Sequence, residues 1–327
     1  MIITQTPFRI SFVGGGTDFS DFFRAHGGAV LSSAIDKYLY VIVQKRYFDD
    51  LIYVNYSQKE IVDDVEKLEH RIVRECMKKT GVLKGVEITT VADIPIAGTG
   101  LGSSSSLTVG LLNALYLFRG IQKSTEELAA EACEIEIEKV KSPIGIQDQY
   151  IAAYGGLKRF DFNKNGTVTT KAIDLPENRF RLLSHNLMLF YTHKTRKSET
   201  ILSEQKTNID QRQEELLALK ELVTKLEKSL LSEGNLDEFG QILNENWELK
   251  KKLTGKISSP DIDAMYQKAL NAGAIGGKIA GAGGGGVLLL YCPPEKQNAV
   301  RKILPEYREL HFHLAHGGSQ PIFIKPD

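Results

Sequence analysis

The chain has 327 residues, enough for a large core and two domains, with the 42% hydrophobic and 25% charged residues of an ordinary soluble globular protein. Its 41 basic and 41 acidic side chains balance, which excludes the basic footprint of a nucleic-acid binder or of a protein held on an anionic membrane. Three dispersed cysteines (Cys76, Cys133, Cys292) read as reduced thiols, no apolar run nears the ~18 residues of a membrane span, and the N-terminus lacks a signal-peptide pattern, so a cytoplasmic location is expected.

Ile2 to Val13 leans to β structure and ends in Gly14-Gly15-Gly16-Thr17-Asp18, where the glycines suit a turn and Asp18 an N-cap. Within the strand Arg9 alternates with Phe8 and Ile10 and so faces a different side of the sheet. Leu39 to Val43, Leu51 to Tyr56 and Val86 to Val91 read as further strands, and Val65 to Lys79 has helical spacing up to Gly81. Ser124-Thr125-Glu126-Glu127 is a capping box that opens a helix to about Val140. On that helix Glu134 and Glu138 share a face while Glu136 points elsewhere. After Ser142-Pro143 comes Ile144-Gly145-Ile146-Gln147-Asp148-Gln149-Tyr150, a mostly apolar and amide setting in which Asp148 suits either a partly buried carboxylate or a cap. Leu157 to Phe162, Thr167 to Asp174 and Leu187 to Thr192 read as strands, and Ser198 to about Thr254 as one long helical stretch. That change of character places a domain boundary near residue 180, dividing 1–180 from 181–327. The remainder (helix 261–272, strand 274–279, a Gly281 to Gly286 loop, a strand from Val287, helix 296–304, an extended 310–314) predicts a second domain of α+β class. His311 and His313 alternate on the last of these without a carboxylate in spacing, which is weak support for a metal site.

The stretch with most chemistry is Pro95-Ile-Ala-Gly-Thr-Gly-Leu-Gly-Ser-Ser-Ser-Ser106, between the Val86 strand and a helical run from Leu107 to Phe118. Three glycines permit a tight turn and a close ligand approach, and the serines stand where a helix begins with unpaired N–H groups. Together with the helix dipole this predicts a phosphate-binding loop. It is not a Walker loop, since Gly277-Lys278 is followed by Ile279 and preceded by Ala272 at the first-glycine position. The Gly-x-Gly-x-x-Gly pattern at Gly281 to Gly286 leads into a strand and not a helix, the wrong context for a dinucleotide site.

Three segments, Pro7 to Asp18, Pro95 to Ser106 and Lys278 to Gly286, resemble in order and spacing the three signature motifs of the GHMP kinases, the galactokinase, homoserine kinase, mevalonate kinase and phosphomevalonate kinase group. The triple-glycine form and Ile-Gly-x-Gln-Asp-Gln-Tyr look most like the sugar-1-kinase branch that includes D-glycero-D-manno-heptose 7-phosphate kinase. The resemblance implies an α+β, two-domain fold: an N-terminal domain similar to ribosomal protein S5 domain 2, a ferredoxin-like C-terminal one, and ATP and sugar in the cleft between. It implies that Gly98, Gly100, Leu101, Gly102, Ser103, Ser104, Ser105 and Ser106 wrap the ATP phosphates and that Ser103 and Glu136, the latter twelve residues before Asp148, hold Mg²⁺. Asp148 would be the catalytic carboxylate with Arg9 as its cationic neighbour. Asp18, Gly15, Gly16 and Thr17 would meet the sugar, and Gly281, Ala282 and Gly283 would close the cleft.

Where galactokinases have Glu-His before Thr-Asp, this chain has Gly15-Gly16, which argues against galactose and leaves room for a larger sugar. The expected partner is a small sugar or sugar phosphate, with no nucleic acid and no membrane; a homodimer is compatible with the sequence. The activity implied is transfer of phosphate to the anomeric hydroxyl of D-glycero-D-manno-heptose 7-phosphate. L-fucokinase, galactokinase-like, mevalonate-type and silent sugar-sensing alternatives remain open at this point. For an acceptor phosphate the best basic cluster away from the loops is Lys194, Arg196 and Lys197, whose other reading is a solvated charge run.

Overall fold

The structure, a computed structural model, describes residues 1–95, 98–194 and 198–325. Its strands in chain order are β1 (Ile2–Val13), β2 (Gly28–Lys45), β3 (Ile52–Asn55), β4 (Lys59–Val62), β5 (Val86–Ala92), β6 (Leu157–Phe162), β7 (Val168–Ala172), β8 (Leu187–Tyr191), β9 (Gly276–Ile279), β10 (Val287–Tyr291), β11 (Leu314–Ala315) and β12 (Gln320–Ile324). β2 is the spine of the first sheet. It pairs antiparallel with β1 along most of its length, with β6 through Gly28 to Ser33 and with β5 through Leu39 to Lys45. β3 adds to β5 in parallel, β4 to β3, and β7 to β6. The second sheet is antiparallel, in the order β8-β10-β9.

Chain order and sheet membership part company at the end. After the second sheet, β11 returns to pair with β2 and β12 with β1. The read strand at 310–314 is therefore a short pairing at Leu314–Ala315, and β12 went unread. The helical stretch from Ser198 is three helices, Ser198–Thr207, Gln213–Leu231 and Asp237–Lys251. The read helix at 65–79 starts later, at Arg71, because His70 caps it through its ring nitrogen.

Ser103–Phe118 is buried around nearly its whole circumference from Ser105 to Tyr116, as an apolar helix must be. It packs on β1 and β2. Gly110 makes the approach close, since a Cβ there would lie 2.8 Å from Thr6 Oγ1. The N-terminus of this helix is thus held against the sheet and aimed at the second half of the molecule. Phe8, Ile10 and Phe12 of β1 are fully buried on one side of the strand. The opposite alternation brings Arg9 and Ser11 to the gap between the two sheets, as the period of two requires.

Candidate active site

Gly98, Gly100 and Gly102 all have left-handed φ, at 79°, 74° and 79°, a conformation open to glycine at little cost. Their lack of Cβ is also a packing requirement. A Cβ on Gly100 would stand 2.6 Å from Ala280 O, and one on Gly281 2.7 Å from Gly100 O. The glycine loop before the helix and the loop after β9 therefore meet backbone to backbone. Leu101 is buried in the core and its carbonyl accepts from Arg9 N at 3.0 Å. Ser103 and Ser104 stand on the wall of the cleft. Ser105 and Ser106 do not: Ser105 Oγ donates to Glu136 at 2.7 Å, and Ser106 Oγ to Pro7 O at 2.8 Å.

Arg9 and Asp148 form a two-point ion pair, Nε to Oδ1 at 2.7 Å and Nη2 to Oδ2 at 2.5 Å. The third guanidinium nitrogen donates to Gly100 O at 2.6 Å, so one planar side chain ties the carboxylate to the glycine loop. Asp148 keeps 23% of its side chain exposed. Two hollows meet at this pair. One is lined by Gly98, Gly100, Gly102, Ser103 and Ser104; the other by Ser11, Gly15, Gly16, Asp18, Gln147 and Lys250. Arg9, Asp148, Gly281 and Ala282 belong to both, while Gly283 lines only the first.

Asp18 lies on the second hollow, its carboxylate accepting from Gly16 N at 3.0 Å and Gln147 N at 3.4 Å. Burial, then the nearby charge of Asp148, pushes its pKa up. Gly145 makes room for it, because a Cβ there would sit 2.0 Å from Asp18 Oδ2. Thr17 is not brought to the cleft: its fully buried hydroxyl lies 2.8 Å from both Gly14 O and Ala29 O and knits the loop to β2. Arg196 lies outside the described residues, and Lys194 beside it pairs with Asp261.

Glu136 sits where the helix Thr125–Cys133 widens into a π turn over Glu134–Lys139, a distortion common at functional sites. It is 1% exposed, accepts from Ser105 Oγ and from Gln149 Nε2 at 2.6 Å, and is pushed by burial to about 7. It lies behind the serines and off the cleft wall. Successive left-handed glycines opening a helix N-terminus suit an anionic phosphate tail, and hydroxyl and carboxylate oxygens suit Mg²⁺. Among the described residues no ion pair balances Glu136, so a cation would compensate its buried charge.

Sequence reasoning missed Lys250. It falls in Lys250-Lys251-Lys252, which reads as a solvated charge run, yet it is 4% exposed and its ammonium donates to Gly281 O at 2.5 Å. Burial, then the charge of Arg9, lowers its pKa to about 8. Lys278 is also buried, donates to Ser11 O and Phe12 O, and is held well below the usual lysine range by burial, then by Lys250. Among the described residues no helix is long and apolar enough to cross a membrane, and no cluster of three His, Cys, Asp or Glu could hold a metal.

Residues 51–156 match the GHMP kinases N terminal domain and residues 207–309 the GHMP kinases C terminal domain. The chain is 30% identical over 319 residues, 93% of each protein, to D-glycero-alpha-D-manno-heptose 7-phosphate kinase of Campylobacter jejuni. It is 30% identical over 223 residues to the mevalonate kinase of Methanothermobacter thermautotrophicus, covering 68% of this chain and 69% of that one. The crystal structure of a D-glycero-D-manno-heptose 1-phosphate kinase from Bacteroides thetaiotaomicron superposes with a TM-score of 0.82, at 25% identity, over 100% of both chains. The chain belongs to the GHMP kinases, with their two-domain α+β fold, and is an ATP-dependent phosphotransferase with an alcohol group as acceptor.

Proposed function

We propose that this kinase phosphorylates the anomeric hydroxyl of a sugar phosphate, D-glycero-D-manno-heptose 7-phosphate in the first place, to give the 1,7-bisphosphate. The observation that carries the reading is the meeting of the two hollows at Arg9 and Asp148, one walled by the anion cradle and the other by polar side chains suited to a polyol. The names of the Campylobacter and Bacteroides relatives support the heptose class, although they place the phosphate at different carbons. Asp18, Gln147 and Ser11 on the second hollow favour a hydroxylated acceptor over a mevalonate-type one.

In this reading the backbone N–H groups of residues 98 to 104 hold the phosphate tail and stabilise charge that spreads over the equatorial oxygens, without reorganising. Asp148 takes the proton of the acceptor hydroxyl as that oxygen bonds to phosphorus and the bond to the ADP oxygen breaks. A positioned base of this kind adds ~10²–10⁴-fold in rate. Arg9 orients Asp148 by its two-point pair. Asp18 accepts from sugar hydroxyls, and Gly281, Ala282 and Gly283 close the cleft. Ser103, with Glu136 behind it, would hold Mg²⁺, which when bound neutralises phosphate charge. The working division is an ATP-binding domain at 1–180 and a second domain at 181–327, with β11 and β12 of the latter completing the first sheet.

The test is ADP formation across a panel of sugars, sugar phosphates and mevalonate. The heptose 7-phosphate is expected to give the highest kcat/KM, with a product that no longer reacts as a reducing sugar. Faster turnover of mevalonate, or a product that still reduces, overturns the reading.

A further inference from the structure

Lys250 reaches the acceptor hollow from the Asp237–Lys251 helix. An ammonium has three donors, and among the described residues Lys250 makes one hydrogen bond, to Gly281 O, and no ion pair. Lys278 lines the same hollow, also without a carboxylate partner among the described residues. The two carboxylates on that wall are already engaged, Asp148 by Arg9 and Asp18 by the N–H groups of Gly16 and Gln147. The hollow is thus lined by the basic side chains of Arg9, Lys250 and Lys278 beside two carboxylates whose partners lie elsewhere, which leaves Lys250 without a carboxylate among the described residues. Space beside the ammonium is kept open by Gly15, whose Cβ would stand 3.9 Å from Lys250 Nζ, so that any longer side chain would fill the hollow.

A neutral polyol offers a desolvated ammonium only hydroxyl acceptors, whereas an anion accepts its hydrogen bonds and also balances its charge. Neither lysine lines the hollow walled by the glycine loop, where Arg9 is the shared cation, which favours an anion on the acceptor over the transferred phosphate. We propose that Lys250 is the anchor of an anion subsite in the acceptor hollow, and that it binds a phosphate monoester carried by the acceptor. This rests on the kinase reading of the site but not on which sugar bears the phosphate. It also assigns recognition of the acceptor phosphate to a buried lysine of the hollow in place of the Lys194, Arg196 and Lys197 cluster.

The experiment compares wild type, Lys250→Met and Lys250→Arg in steady-state assays with D-glycero-D-manno-heptose 7-phosphate and with the unphosphorylated heptose, after thermal melts establish that each variant is folded. Loss of a charge-assisted bond predicts a KM for the phosphate ester raised about 10- to 100-fold by Lys250→Met. KM for ATP, and kcat/KM for the free heptose, are expected to change less than threefold, with partial recovery in Lys250→Arg. Equal changes for both sugars, or a change in KM for ATP as large as that for the ester, overturn the proposal and leave Lys250 a strut between helix and loop. Wild type that turns over neither sugar defeats the heptose reading alone. The subsite is then decided by calorimetry with inorganic phosphate, binding to wild type but not to Lys250→Met supporting it and equal or absent binding overturning it.

Discussion

Gly102→Ala is the perturbation that best probes how the glycine loop and the Arg9–Asp148 pair depend on one another. Gly102 has φ 79° and ψ 25°, and a left-handed alanine costs ~1–2 kcal/mol. At ~2–4 °C per kcal/mol for a large domain, Tm should fall by about 2–8 °C. The new Cβ would also lie 2.9 Å from Arg9 Cγ, 3.1 Å from Nε and 3.3 Å from Cζ. Arg9 is 4% exposed and held at three points, so it cannot yield without lengthening its bonds to Asp148 or Gly100 O. Displacements approaching ~1 Å at a reacting site cost up to ~10²-fold, so kcat should fall ~10–100-fold. Gly120→Ala is the control. Its φ of 71° imposes comparable backbone strain, but nothing lies within 4 Å of the added Cβ. The assay is ADP formation alongside thermal melts of both variants. If Gly102→Ala melts like Gly120→Ala yet keeps kcat within threefold of wild type, the position of Arg9 does not govern the rate and the coupling argued here is wrong.

Two further outcomes follow from the same geometry. Asp148→Asn should lower kcat by ~10²–10⁴-fold while nucleotide affinity measured by calorimetry stays within a few-fold; near-normal turnover would leave Asp148 an orienting group and not a base. Lys250 is held at about 8 against 10.5 for a free lysine, so between these values the unfolded chain binds one more proton and stability rises with pH. The difference, 10.5 − 8, corresponds to ~3 kcal/mol of destabilisation at neutral pH. Melts of wild type relative to Lys250→Met should thus show the wild type gaining stability from pH 8 towards 10, and a flat difference curve would contradict the assigned burial of charge.

How much of this was legible in the sequence depended on whether the signal was local. The capping box at Ser124 is found with both of its hydrogen bonds, because it needs only four consecutive residues. The glycine-serine stretch likewise announces a turn into a helix, and Arg9 faces away from Phe8 and Ile10 because strand alternation is local. Elements that depend on distant packing were not legible. Lys250 differs from its lysine neighbours only because its helix turns that one position towards Gly281. Glu136 continues at helical spacing the buried face of Leu128, Ala129 and Ala132, but that a carboxylate is accommodated there depends on Ser105 and Gln149, which the fold brings to it. β12 owes its strand to pairing with β1, more than 300 positions away in sequence. Thr17, one residue from a cleft carboxylate, is turned inward by bonds to β2 that no motif records.

The central claim is that donor phosphates and acceptor hydroxyl meet at Asp148. A crystal structure with a non-hydrolysable ATP analogue and the heptose 7-phosphate tests it most directly. The phosphate tail should lie along residues 98 to 104 with the acceptor oxygen within about 3 Å of the Asp148 carboxylate. A phosphate tail seated elsewhere, or an acceptor oxygen out of reach of Asp148, would contradict the account.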